Sequence, residues 1–206
     1  NTEENEEVVK GNRNFLANSI STPISDIAFA DQVHGNEIIE VEKGGIYEHI
    51  DGFITTKKGL ALAIQVADCA AVLFADSKAG VISAVHAGWR GAEADIVPKA
   101  TQKMVSLNAD PKNIKVFISP CISQKQFEVG DEVAEKFPDD FVDRTSYSKP
   151  HFDIKKFIEF QLLRAGILEE NIEIHGSCTF SDSEFFSYRR DGKRSGRMMG
   201  IIKLNT

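Results

Sequence analysis

The sequence predicts a single domain of mixed α and β structure, and three features predict it. Residues 60–75, "LALAIQVADCAAVLFA", and 81–87, "VISAVHA", are too apolar for surface elements. They read as two adjacent core strands joined by the turn "DSKAG". Residues 153–167 carry Ile154, Phe157, Ile158, Leu162 and Ala165 at helical spacing, with Asp153 placed to cap the helix and Gly166 to end it. Along the rest of the chain, short strand-like and helix-like segments alternate, some as hairpin-like neighbours. A chain of 206 residues suits one domain with a sizeable core.

Taken in order, residues 3–18 predict a short helix with an acidic start and Val8, Val9, Phe15 and Leu16 among polar residues. "IAFADQV" (27–33) and "EIIEVEK" (37–43) predict strands, and "DGFITT" (51–56) a turn leading into a strand. Residues 92–107 suit a helix in which Pro98 marks a late start or a kink. A strand over 114–119 and a helix over 127–137 follow, and after the helix of 153–167 come three strands, "NIEIHGSC", "FFSYRR" and "MMGIIKL". No internal repeat or low-complexity tract interrupts the pattern.

Bulk properties exclude several function classes. The net charge is −7 and only 189–197 is locally basic, which argues against a nucleic-acid binder. No apolar run approaches the roughly 18–20 residues of a membrane span. The opening "NTEENEEVVK" is not a basic-then-apolar signal peptide. Cys69, Cys121 and Cys178 are odd in number and far apart, which favours free thiols in a reducing compartment. The expectation is a cytoplasmic protein.

Chemistry-bearing residues gather at strand ends beside glycines. His34 lies in "DQVHGNE" and His86 in "AVHAGWRG", each readable as structural or functional. His49, His151 and His175 have no partner in sequence and read as structural or solvent-exposed. Asp68 precedes Cys69 inside an apolar run, where a carboxylate is costly unless paired or at a surface. Either Asp68 caps a turn and Cys69 fills core, or the chain opens there into a pocket. One cysteine and two histidines can hold a metal with a fourth position open, although separations of 35 residues (His34 to Cys69) and 17 (Cys69 to His86) match no zinc-finger spacing. In "GWRG" the glycines would free the backbone, Arg90 offers five donors for an anion, and Trp89 is either core or a stacking surface. The cluster Arg189, Arg190, Arg194 and Arg197 is either a solvated loop or a second wall of an anion site.

Together, "DQVHGNEI", "VADCAAVLFAD", "AVHAGWRGA", "SPCISQKQFEVGDEV" and "CTFSDSEFFSYRRDGKRSGRMMGII" resemble the laccase-domain (YfiH-like) family, in the family's order and over nearly the whole chain. The resemblance implies one compact α+β domain over 1–206 with mixed sheets and flanking helices. It also implies that the strand and glycine-rich loop with which the family opens are missing here, and "SPCI" stands where the family more often has "GPCI", so Cys121 is taken as structural. A metal site at His34, Cys69 and His86 follows, as does the processing of purine nucleosides: phosphorolysis of adenosine, inosine, guanosine and methylthioadenosine, and deamination of adenosine. An older family label is polyphenol oxidase or laccase. A four-copper centre needs about ten histidines and this chain has five, so it cannot build that centre alone. Zinc is the expected metal, with copper able to enter the same site.

On that reading Cys69, Arg90 and Asp68 form the expected catalytic set. Arg90, with Arg189 or Arg190, is the phosphate contact, and Asp68 and Gln32 are candidates for orienting the ligands, Gln32 also for touching substrate. The partners are purine nucleosides and phosphate, with no nucleic acid or membrane, in a monomer or homodimer. The rival reading is a Cys–His hydrolase with Cys69 as nucleophile and His86 as base. A non-enzymatic metal- or nucleoside-binding module is a second rival.

Overall fold

A computed structural model describes residues 5–205. In chain order the elements are α1 (Glu6–Ser19), β1 (Ile27–Asp31), β2 (Ile38–Glu40), β3 (Gly45–Glu48), β4 (Gly52–Thr55), β5 (Ala61–Val66), β6 (Ala70–Asp76), β7 (Val81–Ala87), α2 (Trp89–Glu93), α3 (Ile96–Ser106) and β8 (Lys115–Ile118). There follow α4 (Asp131–Ala134), β9 (Val142–Asp143), β10 (His151–Phe152), α5 (Ile154–Arg164), β11 (Ile172–Ile174), α6 (Tyr188–Asp191) and β12 (Met198–Lys203). Among the described residues no helix is long and apolar enough to cross a membrane.

Two mixed sheets dominate. One runs β12-β5-β1-β3 and the other β11-β8-β6-β7-β4-β2, with β9 and β10 a small separate ribbon. In the first, β1 pairs in parallel with both β3 and β5, while β12 is antiparallel to β5. In the second, the central strands β8, β6, β7 and β4 are antiparallel, and β11 and β2 add in parallel at the edges.

The sheets pack face to face, and the period of two along each strand explains why the sequence looked so uniformly apolar. In β5, Leu62 and Ile64 point into the layer between the sheets, where they meet Ala71, Ile82 and Ala84 of the other sheet. Ala61 and Ala63, on the opposite face, pack with Ile27, Phe29 and Ala17 of α1. In β6 and β7, Val72, Phe74, Val81 and Val85 point the other way, into the largest core, shared with Ile96, Val97, Ala100 and Met104 of α3 and Ile158 and Leu162 of α5. Both strands are therefore buried on both faces. Where β12 crosses β6 the layers nearly touch: a Cβ on Gly200 would lie 2.5 Å from the Cβ of Ala71.

The helices follow their caps. Asn5 accepts from the Glu7 amide and places two glutamates at the positive end of α1; residues 3–4 of the expected helix lie outside the described residues. Asp153 accepts from the Lys156 amide, and Gly166, at φ +90°, turns the chain out of α5. The segment 92–107 is two helices, broken at Asp95, whose φ is +59°. Pro98 sits in the first turn of α3, where an amide has no intrahelical acceptor to lose.

Other expectations are corrected. The run 60–75 is two strands in different sheets, separated by residues 67–69, so of this run only β6 lies beside β7. The helix expected over 127–137 shrinks to the four residues of α4, because Gly130 and Phe137 close it at either side in turns. "NIEIHGSC" is strand only over β11. "FFSYRR" is not a strand: Ser187 accepts from the Arg190 amide and starts the short helix α6 instead. The edge strand β3, "GIYE", which pairs in parallel with β1, was not foreseen.

Candidate metal centre and its cavity

Three chain reversals at the same end of the sheets create the site. His34 lies just past β1, Cys69 in the turn where the chain leaves β5 for β6, and His86 near the end of β7. One donor atom from each lies within 4.8 Å of the other two. Exposure is graded, with His34 open to solvent, Cys69 half-buried and His86 buried, so the set faces outward from the core. The two imidazoles meet edge to face, with centroids 4.7 Å apart.

Asp51 organises this set. It is wholly buried just before β4. Its Oδ1 accepts from the His34 amide at 2.9 Å and its Oδ2 from the Val33 and Gly35 amides at 3.2 and 2.6 Å. These three successive amides form an anion nest, which also holds His34 at φ +62°, a left-handed conformation costly for a histidine. Oδ1 lies 2.8 Å from Nδ1 of His86. Burial pushes the Asp51 carboxyl up, but His86 and the Gly35 and Val33 amides more than offset it and hold it below the usual carboxylate range. An ionised Asp51 is only an acceptor, so Nδ1 of His86 carries a proton, and Nε2 is the nitrogen that would bind a metal in place of its own proton.

Cys69 is equally constrained. Burial raises its thiol, yet the charge of His86 and hydrogen bonds with His34 and His86 bring it down to about 6. The same contacts, with Asp51, raise His86 against the opposing effect of burial. Gly88 makes the close approach of the sulfur possible: a Cβ there would lie 2.8 Å from Cys69 Sγ. On Gly91 it would lie 3.0 Å from the Gly35 carbonyl oxygen. Neither glycine has a positive φ, so the glycines of "GWRG" serve close packing rather than backbone freedom. One thiolate and two imidazoles with an open side are a donor set that suits zinc or copper.

The set opens into a cavity of about 680 Å³. Asp68, at φ +84°, turns the chain at its edge. Its carboxylate accepts from Thr179 Oγ1 at 2.7 Å and from the Arg189 amide at 2.6 Å, so it ties the C-terminal segment across the cavity. Arg90 lines the cavity, exposed, with its guanidinium 4.3 Å from the Trp89 ring centroid and no hydrogen bond or ion pair among the described residues. Trp89 packs partly against the core and supports that arginine. Arg189 also lines the cavity, one guanidinium nitrogen donating to the Glu128 carbonyl.

Two candidates are placed differently. Arg190 points away, its guanidinium donating to the carbonyls of Thr179, Phe180 and Phe185 and to the Asp191 carboxylate. Gln32 reaches the cavity wall, but its amide is engaged with both the amide and the carbonyl of Gln65. His151 bonds the Gln124 carbonyl and stacks on Tyr147, His175 accepts from Ser177, and His49 is exposed. Cys121 is fully buried, and burial pushes its thiol up to about 12. Asp51 was missed by sequence reasoning; its signal was an aspartate opening a strand in "HIDGF".

Two packed sheets carrying an outward-facing Cys–His–His set at their strand ends define a class of domains with an open candidate metal site. The chain belongs to the family described as multi-copper polyphenol oxidoreductase laccase, whose model matches residues 1–205. It is similar to a purine nucleoside phosphorylase of Corynebacterium glutamicum, at 36% identity over 96% of this chain and 82% of that protein. It is also similar to the purine nucleoside phosphorylase YlmD of Bacillus subtilis, at 32% identity over 95% and 77%. Among solved structures, the hypothetical protein YfiH of Bacillus licheniformis superposes with a TM-score of 0.94 at 29% identity, covering 99% of this chain and 84% of that one.

Proposed function

We propose that the cavity is the active site of a purine nucleoside phosphorylase that also deaminates adenosine, with zinc held by His34, Cys69 and His86. The observation that carries this reading is the convergence of those three donors at the floor of an arginine-lined cavity. Its volume falls in the range of small-molecule sites, about 300–1,000 Å³. The names of the similar proteins from Corynebacterium glutamicum and Bacillus subtilis support the substrate class. Adenosine, inosine, guanosine and methylthioadenosine are the proposed substrates.

Zinc bound there supplies Lewis-acid and water-activating chemistry. The chain's own residues do the rest. Arg90, unpaired and raised on Trp89, binds phosphate and orients it toward C1′ of the ribose, with Arg189 as the second guanidinium. Asp51 keeps the proton of His86 on Nδ1 and fixes its ring. Asp68 acts at one remove, by holding Arg189 at the cavity.

The test is turnover of adenosine with and without phosphate. Adenine with ribose 1-phosphate is expected when phosphate is present, and inosine with ammonia from deamination. If a metal-replete preparation yields neither product, the reading fails. Asp51 also favours a second reading, because Asp51–His86–Cys69 has the order of an orienting acid, a base and a thiol nucleophile. A thiol hydrolase survives chelation and is stopped by alkylation of Cys69, whereas the zinc enzyme loses activity to chelators.

A further inference from the structure

The nucleoside reading leaves part of the cavity's charge unused. Residues 188–197 hold five basic side chains against one acidic, in a protein of net charge −7. Two of the five, Arg189 and Arg197, line the cavity with Arg90. A single phosphate is satisfied by two guanidinium forks, and Arg90 and Arg189 already supply them.

Arg197 is a built feature rather than a loose surface charge. It is half-buried just before β12. One terminal nitrogen donates to the carbonyls of Ser195 and Gly196, at 2.7 and 2.8 Å, which fixes the fork. Its guanidinium carbon lies 5.7 Å from the ring centroid of Tyr188, itself on the cavity wall. No carboxylate pairs with Arg197 among the described residues, and the nearby Asp68 is committed to Thr179 and the Arg189 amide. Its remaining N–H donors are left for an anion.

We infer that Arg197, with the Tyr188 ring beneath it, forms a second anion subsite, and that the cavity binds the 5′-phosphate of a purine nucleoside monophosphate there. The inference rests on the nucleoside reading for the base and sugar. It adds a charged group at the 5′ position, and so makes nucleoside monophosphates ligands that compete with the nucleosides.

The experiment is isothermal titration of the metal-replete full chain with adenosine, adenosine 5′-monophosphate and inorganic phosphate, for the parent protein and for Arg197→Gln. Adenosine 5′-monophosphate is expected to bind at least about tenfold tighter than adenosine, a charge-assisted pair's contribution. Arg197→Gln removes that ratio. Because this substitution can disturb the 195–197 loop, the ratio is also measured in the parent protein at rising salt, where it should fall toward one. Equal affinities for the two ligands, or a ratio that Arg197→Gln and salt leave unchanged, overturn the subsite. A ratio equally lost when inorganic phosphate is added at its own saturation assigns the effect to the phosphorolysis subsite and overturns it as well. Failure of the phosphorylase reading looks different: the monophosphate then binds through Arg197 while adenosine is not turned over.

Discussion

Asp51→Asn is the substitution that most sharply probes how the site is held. It keeps the shape and removes one acceptor oxygen. Oδ1 serves the His34 amide and His86 Nδ1, and Oδ2 serves the Val33 and Gly35 amides. Whichever position the new NH₂ takes, it confronts two donors. Two charge-assisted hydrogen bonds are lost, each worth roughly 1.5–3 kcal/mol, and relief of the buried charge returns a part. The expected destabilisation of the metal-free protein is roughly 2–4 kcal/mol, read from urea unfolding. If the NH₂ faces His86, the ring shifts its proton to Nε2 and presents the wrong nitrogen to a metal. Zinc affinity, measured by competition with a chromogenic chelator, should fall roughly 10–100-fold. Zinc affinity within about twofold of the parent, with stability within about 0.5 kcal/mol, would refute the assignment of Asp51 as organiser.

Other outcomes follow from the same geometry. Gly88→Ala drives a methyl to 2.8 Å from Cys69 Sγ, so zinc affinity should drop by more than about tenfold and stability by roughly 1–3 kcal/mol, seen in chelator competition and thermal melts. In the metal-free protein, iodoacetamide should modify Cys69 with a midpoint near pH 6, since the thiolate dominates above that value, and Cys178 near pH 7. Burial keeps Cys121 protonated up to about 12, so peptide mapping should find it unmodified, and zinc should protect Cys69 alone; a Cys69 midpoint above pH 8 contradicts this. Arg90→Gln removes an exposed, unpaired guanidinium, so stability should stay within about 0.5 kcal/mol while the KM for phosphate rises roughly tenfold or more, in initial-rate measurements with phosphate varied.

The three candidate metal-site residues stood out in sequence because each lies at or just beyond a strand end near a glycine or an aspartate, and because their surrounding motifs match a family pattern. Their convergence was not legible from spacing, since it depends on β5 and β6 lying in different sheets. Asp51 escaped because its partners lie 16 to 35 residues away and its own neighbours, "DGF", read as an ordinary turn. Adjacent arginines could not be told apart either. Arg189 and Arg190 were assigned to a strand, and the short helix that Ser187 caps sends one into the cavity and the other onto backbone carbonyls. The double-sided burial of β5, β6 and β7 hid the break at Asp68, because continuous apolarity masks where one strand ends.

On the proposed reading, His34, Cys69 and His86 share one metal ion. Anomalous diffraction at the zinc edge from zinc-loaded crystals tests it most directly. One strong peak is expected within about 2.0–2.3 Å of the donor atoms of all three residues, near full occupancy, and none in Cys69→Ala crystals. No peak at these residues in the parent, or an unchanged peak after Cys69→Ala, would contradict it.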